Sequence, residues 1–312
     1  MTRFPFPALL LCAVCPAQPF TVSVRDAQAR ELRRVEALVF ESGLAIGREA
    51  LRGAFEVVLM GGVPTRLLLG EDRDAGLALL WHPPAEVKVT RPLAGDKLYT
   101  SIHSTVAEKE ADLGSFGPLW RLKTSRDDPE GSRPLLAEDG RWAGWHVARR
   151  IDGQLFSFAL PVERVRSLRR TTLLRLDEWS AARNEPFEEA YARAMGYLWI
   201  QDFDGADFYI NKAITALPRH ARARFHRAFI DGKRGRAKDR AAGYLRAIEL
   251  DPALAEARYN LAIVSLMADD EATARRQALA LRQLTSPLAE KIENFLGLIH
   301  VDTHPSATDH KH

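Results

Sequence analysis

The sequence predicts a two-part chain: an all-β sandwich or barrel followed by an α-solenoid of helical hairpins. Three observations predict it. Over residues 30–168, short runs rich in Val, Leu and Phe recur about every ten residues between Gly, Pro and Asp turns. Beyond residue 187 a pattern returns at a spacing of 34, with Ala213-Ile214 recurring as Ala247-Ile248 and Pro218 as Pro252. The composition, 312 residues with 46% hydrophobic and 27% charged, is that of a folded chain long enough for about two domains. It excludes disordered, collagen-like and coiled-coil chains.

No apolar run reaches the roughly 18 residues of a membrane-crossing helix, so no integral membrane segment is expected. The net charge of +3 is spread evenly, with 26 basic against 24 acidic residues up to residue 186 and 18 against 17 beyond it. Neither part is a basic module, so nucleic acid is not an expected partner. The two cysteines, Cys12 and Cys15, lie at the extreme N-terminus, which leaves no disulfide or metal framework for the body of the chain.

Residues 1–20, MTRFPFPALLLCAVCPAQPF, place one arginine before an apolar stretch from Phe4 to Val14, with Ala17 positioned for cleavage. That is the layout of a signal peptide, and it predicts export, to the periplasm in a bacterium. The residues before each cysteine fit a lipidation box poorly. Cys-x-x-Cys as a redox pair lacks the strand–helix unit that would activate it.

The strand candidates are residues 35–40, 54–60, 65–70, 76–81, 97–102, 141–148 and 155–160. The stretch after Pro161 reads as helical and basic, and residues 169–186 are expected to form a helix linking the two parts. The RSLRR cluster at 166–170 is read as its solvated face.

The repeated units fall at about 187–220, 221–254 and 255–287, with a capping helix over 288–300 and a disordered tail at 301–312. Each unit holds two amphipathic helices that cannot bury their apolar faces alone. Alanines mark the crossings (Ala194, Ala206 and Ala213, then Ala228 and Ala247, then Ala262 and Ala274), and a proline ends the second helix. This resembles the tetratricopeptide repeat. The aromatic near the start of each such unit is replaced by Ala190, Arg224 and Arg258, which predicts looser packing there. The resemblance implies a groove lined by the first helices. Its positions fall on Glu188, Tyr191, Met195 and Leu198, then Arg222, Phe225, His226 and Phe229, then Glu256, Tyr259, Asn260 and Ile263. Such an aromatic groove with a few charges suits a peptide or another protein's surface. The competing expectation is that Phe225 and Tyr259 only pack between units. Of the Lys/Asn set with which some such repeats clamp a terminal carboxylate, only Asn260 is present.

The first part carries an ordered set of phrases: RGAFEVVL (52–59), VPTRLLLGEDRDAGLALL (63–80), RPLAGDKLYTSI (91–102), DDPEGSRPLLAEDGRWAGW (127–145) and FSFALPVERV (156–165). Together, over about 35–168, they resemble HtrA-type trypsin-like serine proteases, and the resemblance implies a double β-barrel. It also implies a Ser, a His, an Asp and backbone donors for the oxyanion. The position of that family's His is held here by Glu49, and that of its Asp by Gly76. The serine loop is one residue short, placing Gly131 or Ser132 at the nucleophile and losing the Gly-Gly turn. Asp72 and Asp74 flank the lost acid, and Asp74 is expected to be a solvated turn residue. His82, His103 and His146 do not stand at the family's His position.

No catalytic set is therefore intact. No cofactor is implied: GLAIGREA (43–50) lacks the Lys-Ser/Thr of a phosphate cradle. No metal site is implied either, since His304, His310 and His312 stand alone in the tail. The expected function is a non-catalytic protease-like domain fused to a repeat module, a protein- or peptide-binding adaptor or scaffold of the bacterial cell envelope. The alternative is an atypical serine endopeptidase using Ser132, for which Glu49 would need a raised pKa and hydrogen-bond reach of that serine. A third possibility makes the β domain a spacer.

Overall fold

The computed structural model describes residues 19–59, 64–83, 88–100, 104–112, 118–124, 130–166, 168 and 173–297. Cys12, Cys15, His103, most of the 1–20 segment and the 301–312 tail lie outside them. The chain divides into two compact units, residues 1–183 and 184–312.

The first unit opens with six strands: β1 (Phe20–Arg25), β2 (Glu31–Phe40), β3 (Gly43–Gly47), β4 (Glu56–Leu59), β5 (Leu67–Asp72) and β6 (Leu77–Leu80). They pair in the order β4-β1-β2-β3-β6-β5. An antiparallel bridge between Val57 and Thr65, with N–H to O distances of 2.9 and 2.8 Å, brings the ends of this sheet together. A second set follows: β7 (Lys97–Tyr99), β8 (Ser104–Asp112), β9 (Pro118–Leu122), β10 (Gly131–Ala137), β11 (Trp142–Ile151) and β12 (Gln154–Leu160). These close into a barrel ordered β10-β11-β12-β9-β8-β7. Numbered from its own first strand, the closed set runs 1-2-3-6-5-4 and the first set 4-1-2-3-6-5, the same succession of neighbours begun one strand earlier.

The expected strands at 35–40, 54–60, 65–70, 76–81, 97–102, 141–148 and 155–160 are β2, β4, β5, β6, β7, β11 and β12. The inward residues of the two strand sets build two separate cores. One gathers Val22, Val39, Ile46, Val57, Leu68 and Leu80, the other Leu98, Trp120, Leu122, Leu135 and Ala159. The hairpin between β11 and β12 turns on Asp152-Gly153, both at positive φ (49° and 80°), the pairing a two-residue hairpin favours.

The linking segment differs from expectation. After the short helix α1 (Val162–Arg166), a two-residue strand β13 (Leu174–Arg175) pairs with β5, and helix α2 (Leu176–Ala181) follows. Leu176 and Trp179 of α2 lie in the core of the first strand set. A continuous helix over 169–186 is broken because Leu174 and Arg175 are drawn into the ladder. Pro186 then starts a new helix rather than continuing an old one.

The second unit is three helical hairpins and a cap: α3 (Glu185–Trp199) with α4 (Phe203–Ala216), α5 (Ala221–Lys233) with α6 (Ala237–Leu250), α7 (Ala255–Met267) with α8 (Glu271–Gln283), and α9 (Leu288–Phe295). The seven alanines expected at the crossings are all fully buried. Each first helix ends on a left-handed residue, Gln201, Gly235 and Asp269, spaced 34 apart. The next N–H turns back to a carbonyl of the last turn in each case: Asp202 to Tyr197, Arg236 to Asp231 and Asp270 to Ser265, at 3.0, 2.8 and 2.8 Å. Among the described residues, no helix is long and apolar enough to cross a membrane.

The arginines at the substituted aromatic positions do more than leave packing loose. Arg224 donates to the Pro218 carbonyl at 3.2 and 3.1 Å, and Arg258 donates to that of Pro252 at 2.8 Å. The same device therefore ties each proline turn to the following helix.

Candidate functional site

Gly131 to Arg133 are not a turn. They lie in β10, paired with Ala148, Val147 and His146 of β11. Ser132 sits against the backbone of Gly47, where a Cβ on that glycine would collide with its hydroxyl. A straight, paired strand does not aim successive N–H groups at one point, as an oxyanion hole requires.

Glu49 lies on a 3₁₀ turn (Arg48–Leu51) that follows β3. Its carboxylate is 58% exposed and faces Arg183 at 3.6 Å and Arg48 at 3.8 Å. Gly76 adopts φ +68°, and a Cβ there would stand 2.8 Å from the Arg149 guanidinium. The space beside Gly76 is thus taken by a basic side chain reaching over from β11. Burial pushes the Arg149 pKa below its ordinary value, while Glu49 opposes that shift.

The flanking acids are held elsewhere. Arg164 of α1 donates to Asp72 at 2.8 and 3.3 Å and stands 3.7 Å from Asp74. Asp74, expected to be solvated, is instead buried in this ion pair. His146 is buried on β11, and His82 Nδ1 lies 2.7 Å from the neighbouring Pro83 carbonyl. Among the described residues, no group of His, Cys, Asp and Glu could hold a metal ion.

Sequence reasoning missed the basic surroundings of Glu49. Arg48 and Arg183 lie over the Trp179 ring, at 5.2 and 4.9 Å. Glu71 accepts from Arg48 at 2.6 Å, from Arg73 at 2.9 Å and from the Trp179 indole at 3.1 Å. One signal pointed there: an arginine pair, Arg149-Arg150, ending an otherwise apolar strand.

In the helical unit the groove positions separate into two kinds. Glu188, Tyr191, Met195, Leu198, Phe225 and His226 are buried. Tyr191 stacks on Phe187 at 5.1 Å and meets His220 and His226. Phe225 belongs to the core formed with Tyr244, Ala247, Leu254, Ala257 and Leu261, so its packing between units is what the structure displays. Arg222, Phe229, Tyr259, Asn260 and Ile263 remain partly exposed. Arg222 donates to Glu256 of the next first helix at 3.0 Å, which neutralises the cation that this row carries.

Residues 244–276 match the tetratricopeptide repeat family model. The helical unit is a tetratricopeptide-like solenoid. Among solved structures, the TPR2B-domain:pHsp70 complex of yeast Sti1 is 23% identical, with a TM-score of 0.34, and the match covers 35% of this chain and 92% of that one. The second TPR of Spaghetti (RPAP3), bound to the HSP90 peptide SRMEEVD, is 16% identical, with a TM-score of 0.31 over 32% and 94% of the two chains. The MamO protease domain from Magnetospirillum magneticum, in its apo form, is 15% identical, with a TM-score of 0.35 over 49% and 96%. Among curated proteins none matches the sequence.

Proposed function

We propose that this chain is a binding protein, an adaptor or scaffold whose tetratricopeptide-type unit holds a peptide or a segment of another protein. The observation that carries this reading is the row of partly exposed side chains, Arg222, Phe229, Tyr259, Asn260 and Ile263, on successive first helices. Aromatic and aliphatic groups on a rigid surface give a partner large contact area at low entropic cost. With Arg222 paired to Glu256, the surface favours an apolar or aromatic segment over an acidic one.

The β unit is read as a degenerate trypsin-like double barrel. Its twice-used strand order supports that reading, and so do the replacements at Glu49, Gly76 and Gly131–Ser132. With no base, orienting acid or oxyanion turn at those positions among the described residues, we read it as contributing binding or support rather than peptide hydrolysis. The layout of residues 1–20 favours export to the cell envelope.

The test is site-specific photo-crosslinking in the full chain. A benzophenone side chain at Phe229 or Ile263 should give one discrete adduct in cells, and the same group at the exposed Leu245 should give none. Equal adducts at all three positions would remove the groove assignment.

A further inference from the structure

Four guanidinium groups converge on the turn that carries Glu49. Arg33 closes it, donating to the carbonyls of Glu49 at 3.1 Å and Arg52 at 2.8 Å. Arg48 and Arg183 are fixed over Trp179, and their side chains are only 3% and 2% exposed. Arg149 arrives from β11 and fills the space over Gly76. Glu49 lies among them at 3.6–3.8 Å from Arg183 and Arg48, longer than a hydrogen bond, and more than half exposed. The other carboxylate of the group, Glu71, is committed to Arg48, Arg73 and Trp179. Asp72 and Asp74 are committed to Arg164.

We propose that Arg48, Arg149 and Arg183 form an oxyanion-binding site, and that the Glu49 side chain is a resident carboxylate at its mouth which a phosphate-class dianion displaces. Guanidinium forks bind oxyanions bidentately, and buried ones bind them more strongly than exposed ones. A dianion meets this charge with twice the charge of a single carboxylate. The loose ion pairs and the exposure of Glu49 let its side chain swing into water. This site is independent of the repeat groove and of whatever that groove holds.

The experiment titrates the full chain with inorganic phosphate by calorimetry at constant ionic strength, with acetate as the monoanion control. Glu49→Gln keeps the side-chain shape and removes the competing charge, so phosphate should bind about tenfold tighter than to the parent. Phosphate should also raise the melting temperature of the variant more than that of the parent. Arg149→Met in the Glu49→Gln background should abolish the gain. Should that variant not fold, Arg149→Lys keeps the charge but loses the fork, and affinity should fall several-fold. O-phosphoserine binding tighter than phosphate would assign the ligand to a modified protein, and equal affinity would assign it to the free ion. Equal phosphate affinity in the parent and Glu49→Gln overturns the proposal. So does tight binding that survives both changes at Arg149, or acetate binding as well as phosphate.

Discussion

Gly243 of α6 faces Ala228 of α5 so closely that a Cβ at position 243 would lie 2.7 Å from the Ala228 methyl and 3.3 Å from its Cα. Gly243→Ala sets two effects against each other. A helical glycine replaced by alanine gains about 0.5–1 kcal/mol through the unfolded chain. Two methyl carbons pack at about 3.5–4.0 Å, so this pair must part by about 1 Å. Both methyls are fixed to the main chain, so only the helices themselves can move. Moving them disturbs Phe225, Tyr244 and Ala247 in the same core. Overpacking of this kind costs about 1–3 kcal/mol. The variant should therefore lose about 0.5–2 kcal/mol. Gly232→Ala is the control, because its new methyl meets only the flexible side chain of Arg240. It should be neutral or stabilising by up to about 1 kcal/mol. Urea unfolding followed by far-ultraviolet circular dichroism measures both. If Gly243→Ala stabilises as much as Gly232→Ala does, the close approach of α5 and α6 is not a constraint.

The salt-bridge network between the first two hairpins offers a second test. Asp207, largely buried, accepts from Arg227, Arg234 and Arg236 at 3.3, 2.6 and 3.1 Å, and Asp207→Asn should cost about 1.5–3 kcal/mol in the same unfolding assay. Arg258→Ala removes the clamp on Pro252 and should lower stability by about 1 kcal/mol, with no new exposure of apolar core. Hydrogen bonds from Thr273 hold the Asp270 carboxyl below its ordinary value, and Arg282 does the same for Glu293. Both folded values lie below the unfolded ones, so this stabilisation is full above the unfolded values and lost as pH falls through the folded ones. Helicity should accordingly decline between about pH 5 and 3, and Asp270→Asn with Glu293→Gln should flatten that decline. A fluorophosphonate probe should leave the chain unlabelled, as it leaves Ser132→Ala. Labelling of the parent alone would restore Ser132 as a nucleophile.

The solenoid was legible because its determinants are local and repeat: an alanine at each crossing, a proline at each exit and a fixed spacing of 34. The β strands with contiguous Val, Leu and Phe were equally visible. The strand β3, Gly-Leu-Ala-Ile-Gly, was not, since its glycines read as loop while every one of its residues is buried. The strand β8 escaped because Ser-Thr-Val-Ala-Glu-Lys-Glu-Ala-Asp carries too many charges to read as a run. Helix α2 was seen as helical, but nothing local tells that its Leu176 and Trp179 return to the first core. That Glu49, Gly76 and Gly131–Ser132 depart from the pattern of the resembled proteases was readable from order and spacing alone. That Arg149 fills the space over Gly76 was not, because contact across 73 residues is decided by how the strands pair. The groove was half legible. A helical period tells which positions share a face, but not that Phe187 and His220 cover Tyr191.

The return of β13 and α2 to the first strand set sets an order of events during synthesis. The first core lacks Leu176 and Trp179 until the barrel of β7–β12 has been made and the chain has passed residue 181. A nascent chain arrested at residue 168 would carry an uncovered first sheet, with β5 presenting a bare edge where β13 belongs. The β unit can be excised whole only if the cut falls after the return. A fragment ending near Arg183 should be monomeric and soluble, whereas one ending at 168 should associate through that edge.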